Sequence, residues 1–131
     1  MNVIIVGAGR VAQSLARKMS DQGHELTLVI EDTEIADQMA MRFPRALVIR
    51  GPGTSESALR DARAEDCDTF YAVDEDDSHT MVACLIARDR FHIKNIVALA
   101  SACEDLPAFV ALDINSVCGP DVLVDALLMA V

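Results

Sequence analysis

The sequence has few aromatic residues and few positive charges. Its 131 residues include no tryptophan and one tyrosine, and 11 lysines and arginines stand against 21 aspartates and glutamates. The formal net charge of −10 argues against nucleic-acid binding, because a protein that displaces counterions from phosphates needs a basic face. We therefore expect no nucleic acid among its partners.

Long apolar runs and a basic leader are also absent. No stretch of 18 apolar residues is free of charge, so we expect no membrane-spanning helix. No basic segment precedes an apolar stretch at the start, so we do not expect secretion. These absences favour a cytoplasmic protein.

The cysteines form no C-x-x-C pair. They lie far apart within apolar stretches, at Cys67, Cys84, Cys103 and Cys118. Because zinc sites are commonly built on closely spaced pairs, we expect no zinc site at these cysteines and name no metal-binding residue. We interpret all four cysteines as reduced core thiols of a cytosolic protein.

The most informative pattern is a glycine-rich turn between a strand and a helix. The apolar run Asn2–Val6 is typical of a parallel strand that is buried on both faces. A G-x-G-x-x-A motif follows, formed by Gly7, Ala8, Gly9, Arg10, Val11 and Ala12. Its small residues permit a tight turn, close approach of a pyrophosphate and close helix packing, and the helix N-terminus attracts phosphate. In this context the motif predicts a Rossmann-type nucleotide-binding unit.

The acid expected after the second strand is displaced. In a dinucleotide-binding unit, an acid about 20 residues after the glycines holds the ribose hydroxyls. Here the second predicted strand ends on Ile30, and Glu31 and Asp32 follow it. Because side chains alternate along a strand, this shift points the carboxylate elsewhere unless the chain bends. The fold prediction stands, but the prediction of nucleotide binding is weakened.

Strands and helices alternate along the whole sequence. The hydrophobic pattern predicts strands at residues 2–6, 25–30, 46–50, 68–73, 95–100 and 115–118. It predicts helices at residues 10–22, 33–43, 54–63, 76–91, 104–112 and 120–130. This alternation implies right-handed crossovers and a parallel sheet. We predict one Rossmann-like, doubly wound α/β domain with a six-stranded parallel sheet.

No catalytic arrangement is apparent, so we do not predict an enzyme. There is no Ser–His–Asp spacing, no G-x-S-x-G turn and no carboxylate pair in a clearly apolar setting. The acidic run Asp74–Asp77 could coordinate a cation such as calcium. More often such a run is a solvated loop that caps the following helix.

Five segments, in order, resemble the N-terminal nucleotide-binding domain of Trk-type potassium-uptake regulators, also called the RCK or KTN domain. They read VIIVGAGRVAQSLA, GHELTLVIED, GPGTSESALRDARAEDCD, AVDEDDSHTMVACLIAR and LDINSVCGPDVL. The G-x-G-T segment and the acidic loop before MVACLIAR are more specific than the glycine motif, which many dehydrogenases share. The resemblance implies a cytosolic, ligand-sensing domain that binds NAD(H) or ATP, ADP or AMP. It also implies a potassium channel or Trk-type membrane subunit as partner, which would hold the domain at the inner face of the membrane.

By this resemblance, ten residues form the nucleotide site. They are Gly7, Ala8, Gly9, Arg10, Val11, Glu31, Asp32, Gly51, Thr54 and Asp74. Five cleft positions depart from the polar residues usual in the family, namely Ile30, Pro52, Asp74, Thr80 and Leu99. A carboxylate at Asp74 would repel phosphate. We expect weak binding, with a Rossmann interaction module that has lost nucleotide, or the cofactor domain of a larger oxidoreductase, as alternatives.

The last predicted helix is apolar on nearly every side. A terminal helix of this kind needs a cover, which a small domain hardly provides. In the resembling family, the region 120–131 crosses to a partner subunit. We expect a two-fold homodimer, or a higher assembly built on it, with Leu123, Leu127 and Leu128 in the contact. The family continues into a second ligand-binding subdomain, so we expect residues 1–131 to be part of a longer protein.

Overall fold

The computed structural model describes residues 1–131, which form six strands and six α-helices. The strands are β1 (Asn2–Val6), β2 (Glu25–Ile30), β3 (Leu47–Arg50), β4 (Thr69–Ala72), β5 (Asn95–Ala100) and β6 (Ser116–Cys118). The helices are α1 (Arg10–Asp21), α2 (Thr33–Arg42), α3 (Glu56–Asp61), α4 (Asp77–Asp89), α5 (Leu106–Ala111) and α6 (Gly119–Met129). Short 3-10 helices precede β4, at Ala64–Asp66, and α5, at Cys103–Asp105. Every predicted element is present, and each predicted boundary lies within two residues of the observed one.

The strands form one sheet in the order β3-β2-β1-β4-β5-β6, with every pair parallel. Alternate side chains of β1 enter two separate cores. Val3 and Ile5 pack with residues of α1 and α2, whereas Ile4 and Val6 pack with residues of α3, α4 and α5. Helices therefore cover both faces, and the predicted single, doubly wound α/β domain is confirmed.

Local sequence signals mark the end of α1, the end of α2 and the start of α3. After α1 the chain passes through Gly23 at φ 83°, a left-handed conformation that glycine adopts without strain. α2 stops before Phe43, the residue that precedes a proline. Ser55 caps α3, because its hydroxyl accepts a hydrogen bond from the Ala58 N–H at 3.2 Å.

Two of the four cysteines are joined, which corrects the interpretation of four reduced thiols. Cys103 and Cys118 form a disulfide with their Cα atoms 5.3 Å apart. They meet because β6 pairs with β5, so that the turn after β5 lies beside the end of β6. Cys67 and Cys84 are free, and burial raises their pKa values to about 11 and about 12. Sequence spacing alone does not show which strands are neighbours.

No helix combines the length and the apolar character that are needed to cross a bilayer, since the longest, α4, has 13 residues.

The last helix stands apart from both cores. None of its residues is buried, and the exposed fractions of Leu123, Leu127 and Leu128 are 65%, 69% and 70%. Burying a leucine stabilises a protein by about 1.5–3 kcal/mol, so this helix leaves much apolar surface unused.

Candidate functional site

A cleft of about 450 Å³ lies at the carboxyl ends of the central strands. Strand order reverses between β1 and β4, and open α/β sheets bind ligands at such a point. The cleft is lined by Val6, Gly7, Ala8, Gly9, Val29, Glu31, Asp32, Ile35, Pro52, Gly53, Asp74 and Glu75. Six of the ten predicted site residues are thereby brought together. Arg10, Val11, Gly51 and Thr54 do not line the cleft, and their roles remain predictions.

The glycine turn has the geometry that its sequence predicts. Gly7 has φ 140°, and a Cβ there would lie 2.7 Å from the Val73 carbonyl oxygen. Gly9 precedes the first residue of α1 and brings no side-chain cap to the helix N-terminus. The Gln13 amide donates a hydrogen bond to the Ala8 carbonyl at 3.0 Å, which braces the turn. The turn thus presents the uncapped N-terminus of a 12-residue helix beside the cleft.

The end of β2 places two acids, but not Ile30, at the cleft. Ile30 is 1% exposed and belongs to the core under α1 and α2. The strand ends there, and the chain turns into α2 through Asp32, whose Oδ1 accepts a hydrogen bond from the Ile35 N–H at 3.0 Å. Glu31 lines the cleft without a hydrogen-bond partner. At the end of β2, Glu31 is therefore the cleft acid whose carboxylate is not engaged by another group.

The loop after β3 forms a third wall of the cleft. Its position is fixed by the hydrogen bond from the Gly51 N–H to the Ile30 carbonyl, at 3.0 Å. Gly53 packs so closely that a Cβ would collide with the Val6 side chain. Pro52 and Gly53 line the cleft through this loop. Proline offers no N–H and no carboxylate, so Pro52 itself contributes shape rather than a polar anchor.

The acidic loop before α4 is used mainly to start that helix. Asp76 is the cap of α4, and it accepts hydrogen bonds from the Ser78 hydroxyl and from the Ser78 and His79 N–H groups. These bonds, the Ser78 hydroxyl first, lower the pKa of Asp76. Asp74 accepts a hydrogen bond from the Asp76 N–H at 2.9 Å. The capping alternative for this loop is therefore the one that the geometry favours.

The cation alternative lacks a suitable cluster. Only one group of three potential ligands has its atoms within 4.8 Å of one another, and it consists of Cys103, Cys118 and Asp121. Its two cysteines are joined as a disulfide and so offer no thiolates. The run Asp74–Asp77 forms no such group.

Asp77 connects two strand ends. Its carboxylate accepts hydrogen bonds from the Ser101 N–H at 2.7 Å and the Ala102 N–H at 3.0 Å. Burial of the carboxylate raises the pKa of Asp77, but the hydrogen bonds lower it by more. The pKa of Asp77 therefore lies below its usual value. A hydrogen bond with Asp77 raises the pKa of the neighbouring Asp105. Sequence reasoning missed this contact, because only the sheet order brings the loops after β4 and β5 together.

We expect Asp77→Asn to lower the free energy of unfolding at pH 7 by about 1–2 kcal/mol, because charge-assisted hydrogen bonds in a partly solvated loop are weakened. The folded pKa of Asp77 is depressed, so its stabilisation is present above about pH 4 and is lost as the pH falls through the folded pKa. Urea unfolding at pH 7 and pH 3 should show a steeper loss for the wild type than for the variant. The control is Asp61→Asn, an exposed acid at the end of α3. Equal pH dependence in Asp77→Asn and wild type would contradict the assignment.

Two of the unusual positions serve the fold. Thr80 is fully buried, and its hydroxyl donates a hydrogen bond to the Asp74 carbonyl at 3.1 Å. Leu99 packs against the core under α1 and α2.

No lysine or arginine lines the cleft, whereas four acids do, namely Glu31, Asp32, Asp74 and Glu75. The electrostatic character of the cleft is therefore acidic.

A larger groove of about 740 Å³ lies at the opposite end of the strands, against the amino ends of β1, β2 and β3. It is lined in part by Arg42, Arg45 and Arg63. The turn at Gly23 lines it, but no α-helix N-terminus does, so the smaller cleft is the candidate site.

The chain is similar to known proteins over most of its length. The TrkA-N domain family matches residues 3–120. A Trk system potassium uptake protein TrkA homolog from Methanothermobacter thermautotrophicus is 31% identical over 121 residues, which are 92% of this chain and 55% of that protein. The chain thus spans about half the length of this relative.

Solved structures share the fold at lower identity. The TrkA-N domain of the inner membrane protein ybaL from Escherichia coli superposes with a TM-score of 0.89 at 18% identity, over 99% of this chain and 96% of that chain. The Shewanella denitrificans Kef CTD in AMP-bound form gives 0.77 at 20% identity, over 99% and 82%. The GsuK channel bound to NAD gives 0.76 at 18% identity, over 88% and 21%.

The family match begins in β1 and extends to the start of α6, so it includes the glycine turn, all six strands and the acidic loop before α4. Because it covers so much of a domain whose predicted and observed folds agree, this chain belongs to the TrkA-N domain family.

Proposed function

We propose that this chain is a ligand-sensing regulatory domain of a potassium channel or transporter, and that its cleft binds an adenine nucleotide or NAD(H) weakly. The observation that carries the proposal is the glycine turn at the head of α1, which opens into a cleft where the strand order reverses. A cleft of about 450 Å³ suits a ligand of this size. One similar structure holds AMP and another holds NAD.

The acidic lining is the reason to expect weak binding. Tight phosphate sites combine backbone N–H groups with a lysine or arginine, and this cleft offers only the backbone and the dipole of α1. Ile30 is buried in place of the usual ribose acid. Losing one charge-assisted hydrogen bond reduces binding by about 1.5–3 kcal/mol, which is tenfold or more. The fold of the site is thus retained while its charged contacts are reduced.

Regulation rather than catalysis fits the relatives. The relative from Methanothermobacter thermautotrophicus is a potassium uptake protein by name, and we propose a potassium channel or Trk-type membrane subunit as the partner. Such a partner would hold this domain at the inner face of the membrane. We further propose a homodimer through α6, whose leucines have no cover within the chain. No substrate is turned over in this proposal.

We expect Glu31→Gln to weaken AMP and NAD binding by roughly fivefold to tenfold, because it removes the unpaired carboxylate at the end of β2 that we propose accepts ribose hydroxyls. Isothermal titration calorimetry with NAD, NADH, ATP and AMP at physiological salt measures the effect. Glu34→Gln, in the first turn of α2 and outside the cleft, is the matched control. Unchanged affinity in Glu31→Gln would place the ribose elsewhere.

The same titration separates the alternatives. The acidic lining favours an interaction module that has lost nucleotide, and such a module would release no heat with any of these ligands. The cofactor domain of an oxidoreductase would bind NAD tightly, which four carboxylates at the cleft oppose.

A further inference from the structure

The space over the second glycine of the turn is already filled. A Cβ at Gly9 would lie 2.5 Å from Oε1 of Glu75 and 3.3 Å from its carboxyl carbon. In a Rossmann turn, this glycine lacks a side chain so that a pyrophosphate can approach the backbone. Here the carboxylate of Glu75 occupies that approach.

The helix behind Gly9 explains why a carboxylate settles there. α1 has no acid in its first turn and no side-chain cap, so its N-terminal charge is not balanced by its own residues. Glu75 comes from the loop after β4, on the other side of the strand-order reversal. It therefore brings a negative charge to the position that a ligand phosphate would take.

Glu75 is placed there without being fixed. Its side chain is exposed and takes part in none of the hydrogen bonds or ion pairs that hold its neighbours Asp74, Asp76 and Asp77. A long, unpaired side chain can rotate away, so the cleft is not closed. The carboxylate opposes a phosphate by like charge, and more strongly as the phosphate charge increases.

Resting on the proposed function, we infer that Glu75 is a selectivity residue which substitutes for the ligand phosphate at the head of α1, so that the cleft prefers adenosine-type ligands with little phosphate charge. Adenosine is then bound ahead of AMP, and AMP ahead of ADP and ATP, in the order of increasing phosphate charge. The other cleft acids add to this preference, but the three atoms nearest to a Cβ at Gly9 all belong to Glu75.

The test compares Glu75→Gln with Glu65→Gln, using AMP and adenosine as probes in calorimetry without divalent cations. Glutamine keeps the size of the side chain and removes its charge. Glu65 lies in the 3-10 helix that precedes the amino end of β4, whereas the cleft is at the carboxyl ends of the strands. Its replacement removes the same charge. We expect Glu75→Gln to bind AMP about tenfold more tightly than wild type, with adenosine affinity unchanged and Glu65→Gln altering neither.

A ligand-free measurement accompanies the titration. In ¹⁵N NMR spectra, Glu75→Gln should shift the amide resonances of Gly9 and Arg10, whereas Glu65→Gln should not. Unshifted resonances would overturn the inference, as would a wild type that binds AMP no less tightly than Glu75→Gln. If only Glu75→Gln binds AMP, the proposed function fails for the native chain while the inference holds. If neither protein binds either probe, both fail.

Discussion

Replacing Leu127 by aspartate should convert a dimer into a monomer and weaken association by more than a hundredfold. Leu127 is 69% exposed, and it follows Leu123 by four residues, so both lie on one face of α6. In a two-fold interface each substitution occurs twice, which removes two buried leucines and brings two carboxylates close together. Each of these changes disfavours the dimer.

Sedimentation equilibrium at micromolar concentration measures the change. Met41→Asp is the matched control. Met41 is 84% exposed on α2, and its replacement removes a comparable apolar side chain far from α6. We expect wild type and Met41→Asp to have twice the mass of Leu127→Asp. A monomeric wild type, or a Leu127→Asp variant of unchanged mass, would show that α6 does not form the contact.

Replacing Gly7 by alanine should destabilise the fold by roughly 2–5 kcal/mol and abolish nucleotide binding. The new Cβ would lie 2.7 Å from the Val73 carbonyl oxygen and 3.2 Å from the Asp74 nitrogen. Both atoms belong to the backbone after β4, so relief requires the strand end to move. A φ of 140° adds strain of about 1–3 kcal/mol, and overpacking adds a similar amount.

Gly23→Ala separates the collision from the strain. Gly23 also has a positive φ, of 83°, but no heavy atom lies within 4 Å of its added Cβ. We expect thermal unfolding to show a fall in Tm of roughly 10 °C or more for Gly7→Ala, and a clearly smaller fall for Gly23→Ala. Equal losses would mean that backbone strain alone matters and that the close packing against Val73 is not decisive.

The strands and helices could be predicted because their signals are local. Gly23 marks a helix end by its left-handed backbone, Pro44 by its steric effect on the preceding residue, and Ser55 by capping. All three effects act within a few residues. The apolar run of β1 needs no partner to be recognised as a buried strand. The fold followed from the order of these elements, since parallel strands joined by helices have few allowed connections.

The details of the site depend on contacts between distant segments. Whether Glu31 reaches the cleft depends on the bend after β2. The contact of Glu75 with Gly9 depends on the loop after β4 lying beside the glycine turn. The Asp77 hydrogen bonds join the segment after β5 to the start of α4, and the Cys103–Cys118 disulfide joins it to the end of β6. Residue patterns along one chain do not contain these distances.

Titration of the ¹⁵N-labelled protein with AMP, observed in amide NMR spectra, tests nucleotide binding at this cleft most directly. We expect shifts confined to the amides of the glycine turn and of Glu31, with a dissociation constant in the range of about 10 µM to 1 mM. Saturation below about 1 µM would contradict weak binding. No shifts at about 5 mM AMP would contradict nucleotide binding at this site, as would shifts confined to amides of the groove at the amino ends of the strands.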